Sequence, residues 1–204
     1  MAFGLALALL TALTDWHSVV TRRARAEAVA KPLVMVGLAI VVVSARPEMW
    51  VALLGAVLLS LAGDVLLLPT VDRFVAGLAS FLAAHIAYAV ALLDRDPSPA
   101  LLAAGLVVLA AVGVGGVIIR SAGRRSPALG AAVALYVATI TAMLVLAVGV
   151  GRTEAVGAGL FVVSDAVLGW NRFVQPLSHG RLATHVFYHV GQTVLTLGFV
   201  FASG

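Results

Sequence analysis

The chain contains no cysteine, and its single lysine is Lys31. The missing cysteine excludes disulfides, thiolate nucleophiles and cysteine-ligated metals. Charge is scarce too: Asp, Glu, Lys and Arg make up 11% of the 204 residues, against about 25% in soluble domains. The counterpart is an apolar fraction of 62% and a mean hydropathy of +1.12. No soluble domain fits this composition. The net charge of +4 is spread over connections and forms no nucleic-acid patch.

What is present is a succession of apolar runs. Crossing the hydrocarbon takes about 20 apolar residues per helix, so the length leaves room for about seven or eight crossings. The expected fold is all-α: one domain over 1–204, a polytopic integral membrane protein with a bundle of eight transmembrane helices. They are expected over 1–21, 29–45, 49–68, 72–93, 98–119, 127–150, 153–171 and 181–202. Polar and Pro/Gly clusters punctuate them, such as Arg46-Pro47, Pro69-Thr70 and Asp94-Arg95-Asp96-Pro97. Met1 to Leu13 has neither a basic leading region nor a cleavage site, and reads as the start of the first membrane helix.

Orientation follows from the arginines. Connections after helices 1, 3, 5 and 7 hold nine: Arg22, Arg23, Arg25, Arg73, Arg120, Arg124, Arg125, Arg172 and Arg181. The opposite side holds three, Arg46, Arg95 and Arg152. The positive-inside rule puts the richer side in the cytoplasm and both termini outside, in a cell (plasma or inner) membrane.

Against this background Asp64 stands out, in an apolar run that breaks at Pro69. An acid inside a membrane segment marks a functional site by default. Asp165 lies in a similar setting near the end of helix 7. At 1.5 Å rise per residue, Lys31, Asp64, Tyr136, Asp165 and His189 all fall within about 15 Å of the cytoplasmic boundary. His85 and Gln192 lie deeper. On helix 8, His185, Tyr188, His189, Gln192 and Thr196 share one face. On helix 4, Gly77, Phe81, Ala84, His85 and Tyr88 do the same. Helix 5 has no polar side chain between Leu101 and Ile119 and is expected to face lipid.

Plainer roles exist for several of these residues. The two aspartates can be structural acids, each paired with Lys31 or a histidine. Lys31, before Pro32 at the expected helix start, can snorkel to the interface. Asp15 and His17 lie near a helix end and are expected to be wetted. His185 and His189, four apart, have a spacing that can hold zinc, but His185 is expected near the mouth of any cavity and dispensable.

Taken in order, these residues resemble the YhhN-type lysoplasmalogenases, eight-helix membrane proteins. The resemblance is carried by Lys31-Pro32-Leu33, Gly63-Asp64-Val65-Leu66-Leu67, Phe74 with Gly77-Leu78, Ser80-Phe81, His85 and Tyr88. It continues through Tyr136, Phe161 with Ser164-Asp165, and Tyr188-His189 with Gln192. His189 departs from it, because a second tyrosine is more usual there. The resemblance implies hydrolysis of the vinyl-ether bond of lysoplasmalogens to a fatty aldehyde and glycerophosphocholine or glycerophosphoethanolamine. It also implies Asp64 and Asp165 as the catalytic pair, with no metal and no cofactor.

The residues suit that chemistry. A vinyl ether is opened by a proton delivered to its outer alkene carbon, and water captures the resulting oxocarbenium ion. One carboxyl must be protonated and one ionised, a division that two carboxyls in an apolar pocket adopt, as in glycosidases. Asp64 is slightly favoured as the acid for its apolar neighbours Val65 to Leu68. Lys31, His85, Tyr88, Tyr136, Tyr188, His189 and Gln192 are the expected substrate-binding set. The lysophospholipid partner is expected to enter from the cytoplasmic leaflet. Two alternatives are a zinc-dependent intramembrane lipid hydrolase of ceramidase type and a non-enzymatic proton-coupled transporter or lipid-binding protein. For topology, a reporter fused after Gly204 is expected to read as extracytoplasmic and one within 120–125 as cytoplasmic; a cytoplasmic C-terminus would refute the helix count or the orientation.

Overall fold

The structure, a computed structural model, describes residues 1–98 and 113–201. Among these residues all regular structure is helical: α1 (Ala2–Val20), α2 (Ala24–Ala45), α3 (Trp50–Leu66), α4 (Phe74–Leu93), α5 (described over 113–123), α6 (Pro127–Val150), α7 (Arg152–Phe173) and α8 (Gly180–Phe201). The part of the expected fifth helix over 99–112 lies outside the described residues. The protein is an all-α integral membrane protein. Helices α1, α2, α4, α6 and α7 are long and apolar enough to cross a membrane; α3 is apolar but shorter, at 17 residues. α8 has the length, 22 residues, and its polar stripe is turned into the bundle.

Local chemistry sets the helix ends. Pro127 opens α6 from a position where its missing N–H costs nothing. Arg46 closes α2 in the left-handed conformation just before Pro47. The largest departure from the sequence reading is the start of α2, at Ala24 rather than residue 29. The Arg-Ala-Arg-Ala-Glu stretch is polar, so hydropathy passes over it, yet its residues are good helix formers. Lys31 and Pro32 therefore lie inside the helix, not at its tip, and Pro32 leaves the Ala28 carbonyl without its usual intrahelical donor.

The helices pack as a closed ring. α1 lies against α2, α2 against α3, α3 against α4, α4 against α6, α6 against α7, and α7 against α8, which returns to α1. α2 also touches α8 across the interior. α5 packs against α6 and the end of α7, where Ile118 and Ala122 meet Val133 and Phe173. At the centre, Phe81, Phe161 and Tyr188 meet edge to face, with centroids 5.3 to 6.3 Å apart. This aromatic triangle ties α4, α7 and α8 together behind the polar residues.

In lipid, helices gain most from close van der Waals contact, which small residues permit. Gly157 is such a contact: a Cβ there would lie 2.5 Å from the Leu195 backbone nitrogen. Gly157→Ala should therefore lower stability by about 1–3 kcal/mol through overpacking, read as a lower unfolding midpoint in detergent. Gly55→Ala, where a Cβ meets nothing within 4 Å, should not.

Candidate active site

The end of the bundle that carries the α1–α2, α3–α4 and α7–α8 connections holds a cavity of 370 Å³. Its wall includes Lys31, Asp64, Asp165, His185 and Tyr188, with Glu27 and Arg181 joined in an ion pair. Each element delivers its residue from its last or first turns. Asp64 and Asp165 lie near the ends of α3 and α7, and Lys31 and His185 lie within the first turns of α2 and α8. Two acids that sit a hundred residues apart in sequence thus face one cavity.

Asp64 is fully buried and doubly held. Its Oδ1 lies 3.2 Å from Lys31 Nζ, and its Oδ2 accepts a hydrogen bond from the Tyr188 hydroxyl at 2.9 Å. Lys31 is itself only 8% exposed, so it does not snorkel to the interface. A charge at this depth is tolerated because it is paired.

Asp165 has different company. The Tyr136 hydroxyl donates to its Oδ2, and His85 Nε2 lies 3.8 Å from the same oxygen. No lysine or arginine pairs with it among the described residues. Asp165 also borders a second cavity, of 340 Å³ and almost wholly apolar, lined by Leu78, Val133, Tyr136, Ile140, Leu144 and Gly159 among others. Leu67, Phe81, Asp165 and Leu168 belong to both walls. α5 contributes Val114, Gly115 and Ile118 to the apolar chamber. This corrects the expectation that helix 5 only faces lipid: an apolar side chain suits an apolar cavity as well as it suits lipid.

The remaining expected residues are placed as follows. Tyr188 lines the polar cavity and Tyr136 the apolar one. His85, Tyr88, His189 and Gln192 line neither and are buried behind the wall. Tyr88 donates to the Gln192 side-chain oxygen, and Gln192 donates to Ser60 Oγ at 3.0 Å, a chain that joins α4, α8 and α3. His85 packs edge-on to Phe161 and Tyr136, at 4.7 and 5.2 Å.

Two expectations are corrected outright. Asp15 is not wetted but fully buried, and its Oδ2 lies 2.7 Å from His185 Nδ1. His185 is correspondingly no residue of an open mouth, at 5% exposed. Beside them, Trp16 Nε1 donates to His189 Nδ1 at 3.1 Å. Among the described residues, no group of three or more His, Asp or Glu stands at metal-binding geometry. The signal for Asp15 was available: it is a lone carboxylate in an apolar helix, the same criterion that singled out Asp64.

The fold and the site together define a class: a multi-helix integral membrane protein whose interior carboxylates share a cavity with one lysine. The chain belongs to the YhhN family, whose model matches residues 26–199. It is 36% identical over 143 residues to lysoplasmalogenase TMEM86B of Sus scrofa and 35% identical over 143 residues to that of Homo sapiens. Each match covers 70% of this chain and 61% of the relative. A shorter match, 42% over 65 residues, links it to lysoplasmalogenase TMEM86B of Rattus norvegicus and covers 32% of this chain and 28% of that one. No solved structure matches the chain.

The buried pair makes a stability prediction. Lys31→Met alone should cost about 3–5 kcal/mol, because it strands a carboxylate in the interior. Lys31→Met combined with Asp64→Leu should cost less than the sum of the two single changes. Detergent unfolding of the four proteins gives the coupling, and strictly additive losses would refute it.

Proposed function

We propose that this protein hydrolyses the vinyl-ether bond of a lysoplasmalogen, a single-chain lipid with a glycerophospho-alcohol head. The observation that carries the reading is the position of Asp165, in the shared wall of a polar and an apolar cavity. The vinyl ether is the chemical boundary of such a lipid. On one side lie glycerol and phosphate, and on the other a hydrocarbon chain. With the head in the polar chamber and the chain in the apolar one, the reacting bond lies beside Asp165. The family and the lysoplasmalogenase names of its relatives support the same activity.

The surroundings of the two carboxyls divide their roles. Asp64, held by the Lys31 ammonium and the Tyr188 hydroxyl, is the ionised partner. It is a fixed negative charge that stabilises the oxocarbenium ion as it forms. Asp165, paired with a neutral phenol and without a cation, is the acid. Tyr136 occupies Oδ2, which leaves Oδ1 to carry the proton to the outer alkene carbon. This reverses the slight preference for Asp64 as the acid, which rested on its apolar sequence neighbours. Lys31 and Arg181, both in the polar wall and paired with Asp64 and Glu27, supply positive charge for the head-group phosphate. The polar cavity lies at the arginine-rich end of the bundle, which favours entry of the substrate from the cytoplasmic leaflet of the cell membrane.

Turnover is tested in detergent with chelator present and no gradient, conditions that separate this reading from zinc-dependent hydrolysis and from transport. The wild type should release fatty aldehyde. Asp165→Asn should lower kcat by about a hundredfold or more, the usual weight of acid–base catalysis, and Asp64→Asn by about a hundredfold, the usual weight of one preorganised electrostatic contact, both while still inserting. Gly159 lines the apolar chamber with open space around its Cβ position, so Gly159→Leu should shift preference toward shorter chains. Near-wild-type turnover in either Asn variant would defeat the two-carboxylate mechanism.

A further inference from the structure

We propose that His185, held by Asp15, is the base that activates the capturing water, so that three side chains rather than two handle the reaction. The assignment rests on the vinyl-ether reading above. Asp64 is poorly placed to take a proton, because its two oxygens are already faced by Lys31 at 3.2 Å and by the Tyr188 hydroxyl at 2.9 Å. His185 is placed to take one. Its ring lines the polar cavity with Asp64 and Asp165. Its Nδ1 is engaged by Asp15 at 2.7 Å, and its Nε2 has no hydrogen-bond partner among the described residues. In this assignment the Asp15 carboxylate accepts from Nδ1–H, and that tautomer leaves the Nε2 lone pair for a proton, the role a carboxylate has behind a catalytic histidine.

The neighbouring histidine shows that the arrangement is selective. His189 lies one turn further along α8, yet its Nδ1 accepts from Trp16 and stands 3.8 Å from Asp15. Its ring does not line the cavity. Asp15 is fully buried and sits about five residues, or roughly 7 Å, inside the end of α1. A buried acid at that depth needs a partner, and His185 is its hydrogen-bonded one.

The steps balance. Asp165 gives its proton to the outer alkene carbon, and the π pair becomes the new C–H bond. Water attacks the oxocarbenium carbon as His185 Nε2 takes one of its protons. The hemiacetal then collapses: its hydroxyl proton returns to Asp165, and the imidazolium proton goes to the departing glycerol oxygen. The sum is vinyl ether plus water to aldehyde plus alcohol, with both groups restored.

The test uses the full chain in detergent with a vinyl-ether lysolipid. His185→Ala should lower kcat by about a hundredfold or more with KM near wild type, and added imidazole should restore turnover. Asp15→Asn, the positioning variant, should lower kcat with KM unchanged and should not respond to imidazole. If His185→Ala does not fold, His185→Gln serves in its place and should show the same loss of kcat. Wild-type-like kcat in the His185 variant that folds overturns the assignment, as does a loss in folded His185→Ala that imidazole leaves untouched. A wild type inert toward every vinyl ether overturns the underlying reading and this one with it, a result distinct from an active wild type whose His185 variant stays active.

Discussion

The buried contact between Lys31 and Asp64 is the constraint on which the rest of the interior depends. A lone carboxylate in a membrane helix is expelled or neutralised unless a partner reaches it, and this chain has one lysine to offer. Placing that lysine inside α2 rather than at its tip brings the ammonium to the depth of Asp64 and sets α2 against α3. Tyr188 completes the coordination from α8. Three helices from both halves of the sequence are registered by one carboxylate. The aromatic triangle behind it keeps the Tyr188 ring in place.

The second acid is governed by the contrast with the first. Asp165 has a phenol where Asp64 has an ammonium, and it faces hydrocarbon as well as polar space. The two acids differ through their neighbours and not through their own chemistry. The lipid reading rests on this asymmetry: one chamber suits phosphate and glycerol, the other suits a chain, and the junction carries a carboxyl. Gly159, with open space around its Cβ position, and the α5 residues line the apolar chamber.

Much of this was legible in the sequence for a simple reason. Apolar runs, their proline and arginine breaks, and isolated acids within them are local signals, and they pointed to eight helices, the fifth described only over 113–123, and to Asp64 and Asp165 as acids inside them. Partnerships between distant helices leave no local trace. Asp15 was read from its distance to a helix end, while the residue that explains it lies 170 positions away; α1 also falls outside the segment matched by the family. The start of α2 was misplaced because helix propensity continues where hydropathy stops. The role of α5 was missed because hydropathy cannot tell a wall of a cavity from a surface in lipid.

The ring has a consequence for how the protein is made. α1 and α8 close it, and the contact that seals them joins Asp15 to His185. A ribosome therefore delivers α1 to the bilayer long before its partner exists. Through most of synthesis, Asp15 has neither His185 nor the rest of the α8 stripe. An unpaired aspartate at a helix centre raises the insertion free energy by about 2.5–3.5 kcal/mol, less toward the ends, and the long apolar remainder of α1 outweighs it. Lys31 and Asp64 can meet early, since α2 and α3 emerge together, but Tyr188 joins them only with α8. The apolar exterior is thus laid down helix by helix, while the polar contacts of Asp15 and of Tyr188 wait for α8.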